Sequence, residues 1–72
     1  MIEYPIVVFW SAEDGEYVAE VPDLPYVAML APTAEEAVRL VREAVAAFAN
    51  AAAERGEAMP EPSVPVALRR AG

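Results

Sequence analysis

Residues 33–55, TAEEAVRLVREAVAAFANAAAER, decide the fold, because no other segment is both long enough and periodic enough to form an amphipathic helix. Pro32 stops the segment before it, and Thr33-Ala34-Glu35-Glu36 has the Thr-x-x-Glu form in which a hydroxyl and a carboxylate cap each other's free N–H groups. Gly56 follows the last periodic residue and suits the left-handed turn that closes a helix. Ala37, Val38, Val41, Ala44, Val45, Phe48 and Ala52 recur on one face, while Glu35, Arg39, Arg42, Glu43, Asn50 and Glu54 lie elsewhere on the wheel. That apolar face needs a sheet to cover. Burying Val38, Val41, Val45 and Phe48 contributes roughly 1.5–3 kcal/mol each, against about 0.2–0.5 kcal/mol for a Glu35–Arg39 or Arg39–Glu43 surface pair.

The sheet precedes the helix. Residues 2–10 are rich in β-branched and aromatic side chains and read as a strand, with Pro5 placed near its start. Residues 11–15 form a hairpin loop, for which Asp14-Gly15 supplies the turn chemistry. Residues 17–21 return as a second strand, with Tyr17, Ala19 and Val21 on one face and Glu16, Val18 and Glu20 on a partly solvated other. Pro22 and Pro25 interrupt the chain, so residues 21–25 are expected to turn. Residues 26–31 form a third strand that is apolar on both faces. After the helix, residues 59–63 make a proline-rich connection and residues 64–68 a short strand that Pro65 confines to an edge; residues 69–72 read as a frayed tail. The order β-β-β-α-β is an α+β domain over residues 1–72, with one helix on one face of a mainly antiparallel sheet.

Composition narrows the function. A chain of 72 residues has a small core, and oligomerisation is a common route to further stability. An apolar fraction of 57% excludes disorder. The longest uncharged apolar run, residues 4–10, is far short of the ~20 residues that span a membrane, and Glu3 without a basic leader argues against a signal peptide. No cysteine and no histidine are present, which removes disulfides, most metal sites and the Cys/His and Ser/His catalytic pairs, and fits a cytoplasmic protein. Twelve acidic residues against five arginines give a net charge of −7, which repels nucleic-acid backbones and favours a basic protein partner.

Four segments in register carry a resemblance. Tyr4-Pro5-Ile6-Val7-Val8, then Asp14-Gly15-Glu16-Tyr17-Val18-Ala19-Glu20-Val21-Pro22-Asp23-Leu24-Pro25, then Thr33-Ala34-Glu35-Glu36-Ala37 and Met59-Pro60-Glu61-Pro62-Ser63 resemble, in order and spacing, the N-terminal domain of the HicB-like antitoxins. The resemblance implies a truncated ribonuclease H-like fold, with a three-stranded meander, a crossing helix and a fourth strand beside the first. It also implies a small basic ribonuclease toxin as partner, blocked by occlusion. Tyr26-Val27 and Ala31-Pro32 depart from the Gly-Cys and Gly-Asp usual in the family, and the nine residues after Ser63 are too few for the DNA-binding domain that members commonly carry there.

A ribonuclease H-like fold raises the question of nuclease chemistry, which needs carboxylates converging from the first strand, the helix and the last strand on paired metal ions. Residues 4–10 and 64–68 hold no acid, so Glu43 on the helix would stand without a strand carboxylate beside it. Glu13-Asp14-Gly15-Glu16 lacks the alternating oxygen ligands of a calcium loop. Ser11 and Ser63 have no base, Trp10 reads as core or interface, and Arg69 and Arg70 are too few for a nucleic-acid footprint. The reading is therefore a non-enzymatic protein-binding module without cofactor or metal. Its partner-binding residues are expected in the proline-stiffened turn at Asp23, Leu24 and Tyr26, with Leu24 and Tyr26 exposed as anchors and Glu13, Asp14 and Glu16 steering from the hairpin. A sheet apolar on both faces predicts a homodimer or higher oligomer. The competing expectation is a homo-oligomeric domain that binds a small effector and has no toxin.

Overall fold

The computed structural model describes residues 4–63 of the chain. Strands β1 (Val7–Ser11), β2 (Glu16–Val21) and β3 (Leu24–Ala31) precede the helix α1 (Ala34–Glu54). The strands form one antiparallel sheet in the order β1-β2-β3, so β2 is central. This is the expected α+β order through the helix; the proposed strand at residues 64–68 lies outside the described residues.

Local chemistry fixes each connection. In the hairpin, Gly15 has φ +66 and its N–H donates to the Ser11 carbonyl at 2.8 Å. The Ser11 hydroxyl donates to Asp14 Oδ2 at 2.8 Å and accepts from the Asp14 N–H at 3.3 Å, which gives Ser11 a turn-forming role. The next connection is tighter than expected. β2 runs through Val21, only Pro22 and Asp23 turn, and β3 begins at Leu24 instead of Tyr26. Pro25 is tolerated inside β3 because, among the described residues, that strand lies at the sheet edge. The ladder also breaks there: Glu20 pairs with Ala28 whereas Val21 pairs with Leu24.

The helix begins and ends where its signals place it. Thr33 is extended, and its Oγ1 accepts from the Glu36 N–H at 3.2 Å. The reciprocal half of the capping box is replaced by an ion pair, because the Glu36 carboxylate accepts from Arg39 at 3.0 Å and Arg39 also donates to Glu43 at 3.0 Å. The expected Glu35–Arg39 pair thus gives way to Glu36–Arg39. At the other end Gly56, with φ +72, donates to the Ala53 carbonyl and Glu57 donates to that of Ala52, the paired bonds of a Schellman closure.

The core lies between α1 and the inner sheet face, where Ala37 and Val41 meet Ala19, Val21, Leu24, Val27 and Ala31, with Tyr4 at the margin. Phe48, expected in this core, remains 37% exposed. Residues 59–63 return across the end of the core. The Tyr4 hydroxyl donates to the Pro60 carbonyl at 2.6 Å, Met59 packs against the core, and Ser63 donates to Asp23 from both its N–H, at 2.9 Å, and its hydroxyl.

Candidate partner-binding surfaces

The proline-bounded turn separates its three singled-out residues into different roles. Leu24 was expected to be exposed, and the structure corrects this: it is 0% exposed, because pairing with Val21 after the two-residue turn points it into the core. Asp23 is partly buried and bound to Ser63. Those hydrogen bonds hold its carboxyl below the usual carboxylate range, and its charge, after burial, helps raise the Tyr4 hydroxyl above the usual tyrosine value. Only Tyr26 extends into solvent, at 60% exposure, and its ring tilts against Phe48 of α1 with centroids 4.8 Å apart.

Around that aromatic pair the helix is unusually plain. Ala44, Ala47, Phe48, Ala51 and Arg55 line a shallow open depression of about 400 Å³. No side chain between Ala44 and Ala53 is charged, whereas Glu35, Glu36, Arg39, Arg42 and Glu43 crowd the preceding turns.

A second surface is the sheet face turned away from α1. Register places Phe9, Val18 and Leu30 side by side across the three strands, with Val7, Glu20 and Ala28 in the next row and Ser11 and Glu16 on the other side. Phe9, Leu30 and Val7 are each more than two-fifths exposed. Val18 is only 8% exposed although the helix covers the opposite face, since its cross-strand neighbours flank it on both sides. The sequence signal for this row was the two-sided apolarity of the first and third strands.

The remaining candidates have local explanations. Glu43 is 62% exposed at its side chain and bridges to Arg39. Among the described residues, no group of three or more metal-ligating side chains converges, and no helix is long and apolar enough to cross a membrane. Trp10 packs edge-on against Tyr17 with centroids 5.1 Å apart, yet stays 54% exposed at the end of the sheet. Glu13 and Asp14 are exposed in the hairpin and Glu16 is partly buried.

Comparison with curated proteins and with solved structures gives no significant match in either. A family model described as the HicB_like antitoxin of bacterial toxin-antitoxin system matches residues 4–70, nearly the whole chain. With that span, and with the meander and crossing helix already in place, the chain belongs to the HicB-like antitoxin family.

Proposed function

We propose that this chain is a non-catalytic antitoxin domain that sequesters a small basic ribonuclease toxin by occluding it. The observation that carries the reading is the antitoxin family match over residues 4–70. The net charge of −7 supports a basic partner, since opposed potentials speed encounter and set orientation. The β-β-β-α order supports a truncated ribonuclease H-like ancestry in which the fold serves binding alone. The depression beside Phe48 is open, which suits contact with another chain better than enclosure of a metabolite.

We also propose that the chain acts as a homo-oligomer, with Tyr26 as a contact residue. Two copies each carrying −7 repel unless they meet on uncharged surface. The Tyr26–Phe48 pair and the uncharged stretch from Ala44 to Ala53 supply such a surface, and its alanines permit close helix approach, at interaxial distances near 8 Å. The test of the antitoxin reading is a search of the flanking open reading frames for a short basic protein, followed by its co-expression with this chain. Growth arrest by that protein alone and recovery with this chain is the expected result; arrest that persists despite soluble, folded chain sinks the reading.

A further inference from the structure

Resting on the antitoxin reading, we infer that the outer face of the sheet receives the basic protein, with the Phe9–Val18–Leu30 row making the apolar contact and Glu20 and Glu16 meeting cationic side chains of the partner. Single exposed apolar residues are ordinary on a protein surface. A contiguous row across all three strands, reinforced by Val7 and Ala28, is the kind of patch that marks an interaction site. It spans about 10 Å at the usual strand spacing, enough to seat the apolar centre of an interface whose rim lies on the hairpin and strand ends.

Charge selects the occupant. Glu20 stands beside Val7 and Ala28, Glu16 beside Ser11, and Glu13 and Asp14 lie at the adjoining hairpin. Among the described residues the arginines are Arg39 and Arg42 within α1 and Arg55 at its C-cap, so none of them lies on a strand. A second copy placed on this face by two-fold symmetry would bring carboxylates against carboxylates with no arginine of the described residues between them, a destabilising apposition. Nucleic acid and anionic lipid are repelled for the same reason. A basic protein with an apolar centre satisfies both parts of the surface, and the uncharged helix flank is left for self-association.

The experiment titrates the full chain with a short basic protein taken from a flanking open reading frame, by calorimetry at low and at physiological salt. The variants are Phe9→Thr/Leu30→Thr, which introduces β-branched residues suited to strands, Glu20→Arg, which alters only an exposed charge, and Arg42→Gln on the exposed helix face as control. The double variant should weaken binding about 100-fold, as expected for two central contacts. Glu20→Arg should weaken it about 10-fold and flatten its salt dependence, while Arg42→Gln stays at the parental value. Parental binding retained within about threefold by both Phe9→Thr/Leu30→Thr and Glu20→Arg would overturn the assignment of this face. If the double variant fails to fold by circular dichroism, Glu20→Arg decides alone. Failure of the parental chain to bind at all overturns the antitoxin reading instead, and this inference with it.

Discussion

The two faces of the sheet invert the usual allocation of side chains. The inner face and the helix above it bury Ala19, Val21, Leu24, Val27, Ala31, Ala37 and Val41, a set in which Leu24 is the largest fully buried side chain. Phe9, Trp10, Tyr26, Leu30 and Phe48, all as large or larger, are exposed. Hydrophobicity alone therefore does not sort the residues; the position of the one helix does. Ala37 and Val41 of α1 pack on Ala19, Val21, Leu24, Val27 and Ala31, which leaves the bulkier apolar side chains on surfaces that another chain can cover.

Truncating one residue on each face sharpens this contrast most. Leu24→Ala should lower the unfolding free energy by about 2–5 kcal/mol, because it opens a cavity in a core with few other large side chains. Leu30→Ala should lower it by less than about 1 kcal/mol in the isolated chain. Urea unfolding of the two variants checks the pair, and equal losses would break the distinction between the faces.

The next effect concerns association. Tyr26→Ala removes an exposed ring that is already stacked on Phe48, so little ordering is lost when it binds. Self-association should weaken by about 2 kcal/mol, roughly 30-fold in the dissociation constant, with the fold unchanged. Sedimentation velocity across a concentration series reads this directly, and an unaltered equilibrium would place the second copy elsewhere. A smaller loss belongs to the helix that covers the inner face. A Cβ at Gly56 would meet nothing within 4 Å, so Gly56→Ala isolates the strain of a left-handed φ of +72. It should lower thermal stability by about 1 kcal/mol, and a neutral result would mean that the closure relaxes to another turn.

What the sequence made legible was governed by short range. Thr33 is bonded to a group three residues away, Gly56 closes the helix it follows, and Asp14-Gly15 makes its own turn, so each signal holds its meaning within a few residues. Two-sided apolarity of the first and third strands likewise announced an uncovered face. The burial of Leu24 is not legible locally, because it depends on how few residues turn between β2 and β3, and Pro25 masks a strand whose edge position is a property of the described sheet. Phe48 has the wheel angle of a core residue, but a wheel does not say how far the sheet extends beneath the helix. The bond from Ser63 to Asp23 crosses 40 positions in the chain, and no local pattern specifies it.

That bond carries the smallest expected effect and closes off the inner face at one end. Asp23 accepts two hydrogen bonds from Ser63, and those bonds hold its folded-state value below the ordinary carboxylate range. The sign follows from linkage: the folded state binds this proton less readily than the unfolded chain does. The contribution to stability is therefore fully present above the unfolded carboxylate value near 3.8, and it is lost as pH falls through the depressed folded value. Asp23→Asn retains an acceptor oxygen but has no proton to take up in that window, so its stability should fall less steeply with acid than that of the parent. Ser63→Ala removes the hydroxyl donor while leaving the backbone N–H, and should bring Asp23 part of the way back toward its ordinary value. Carboxyl titration of the two proteins by NMR, alongside thermal unfolding from pH 7 downward, distinguishes these outcomes. An Asp23 that titrates at its ordinary value in the parent would show that residues 59–63 are held over the inner face by Tyr4 and Met59 alone.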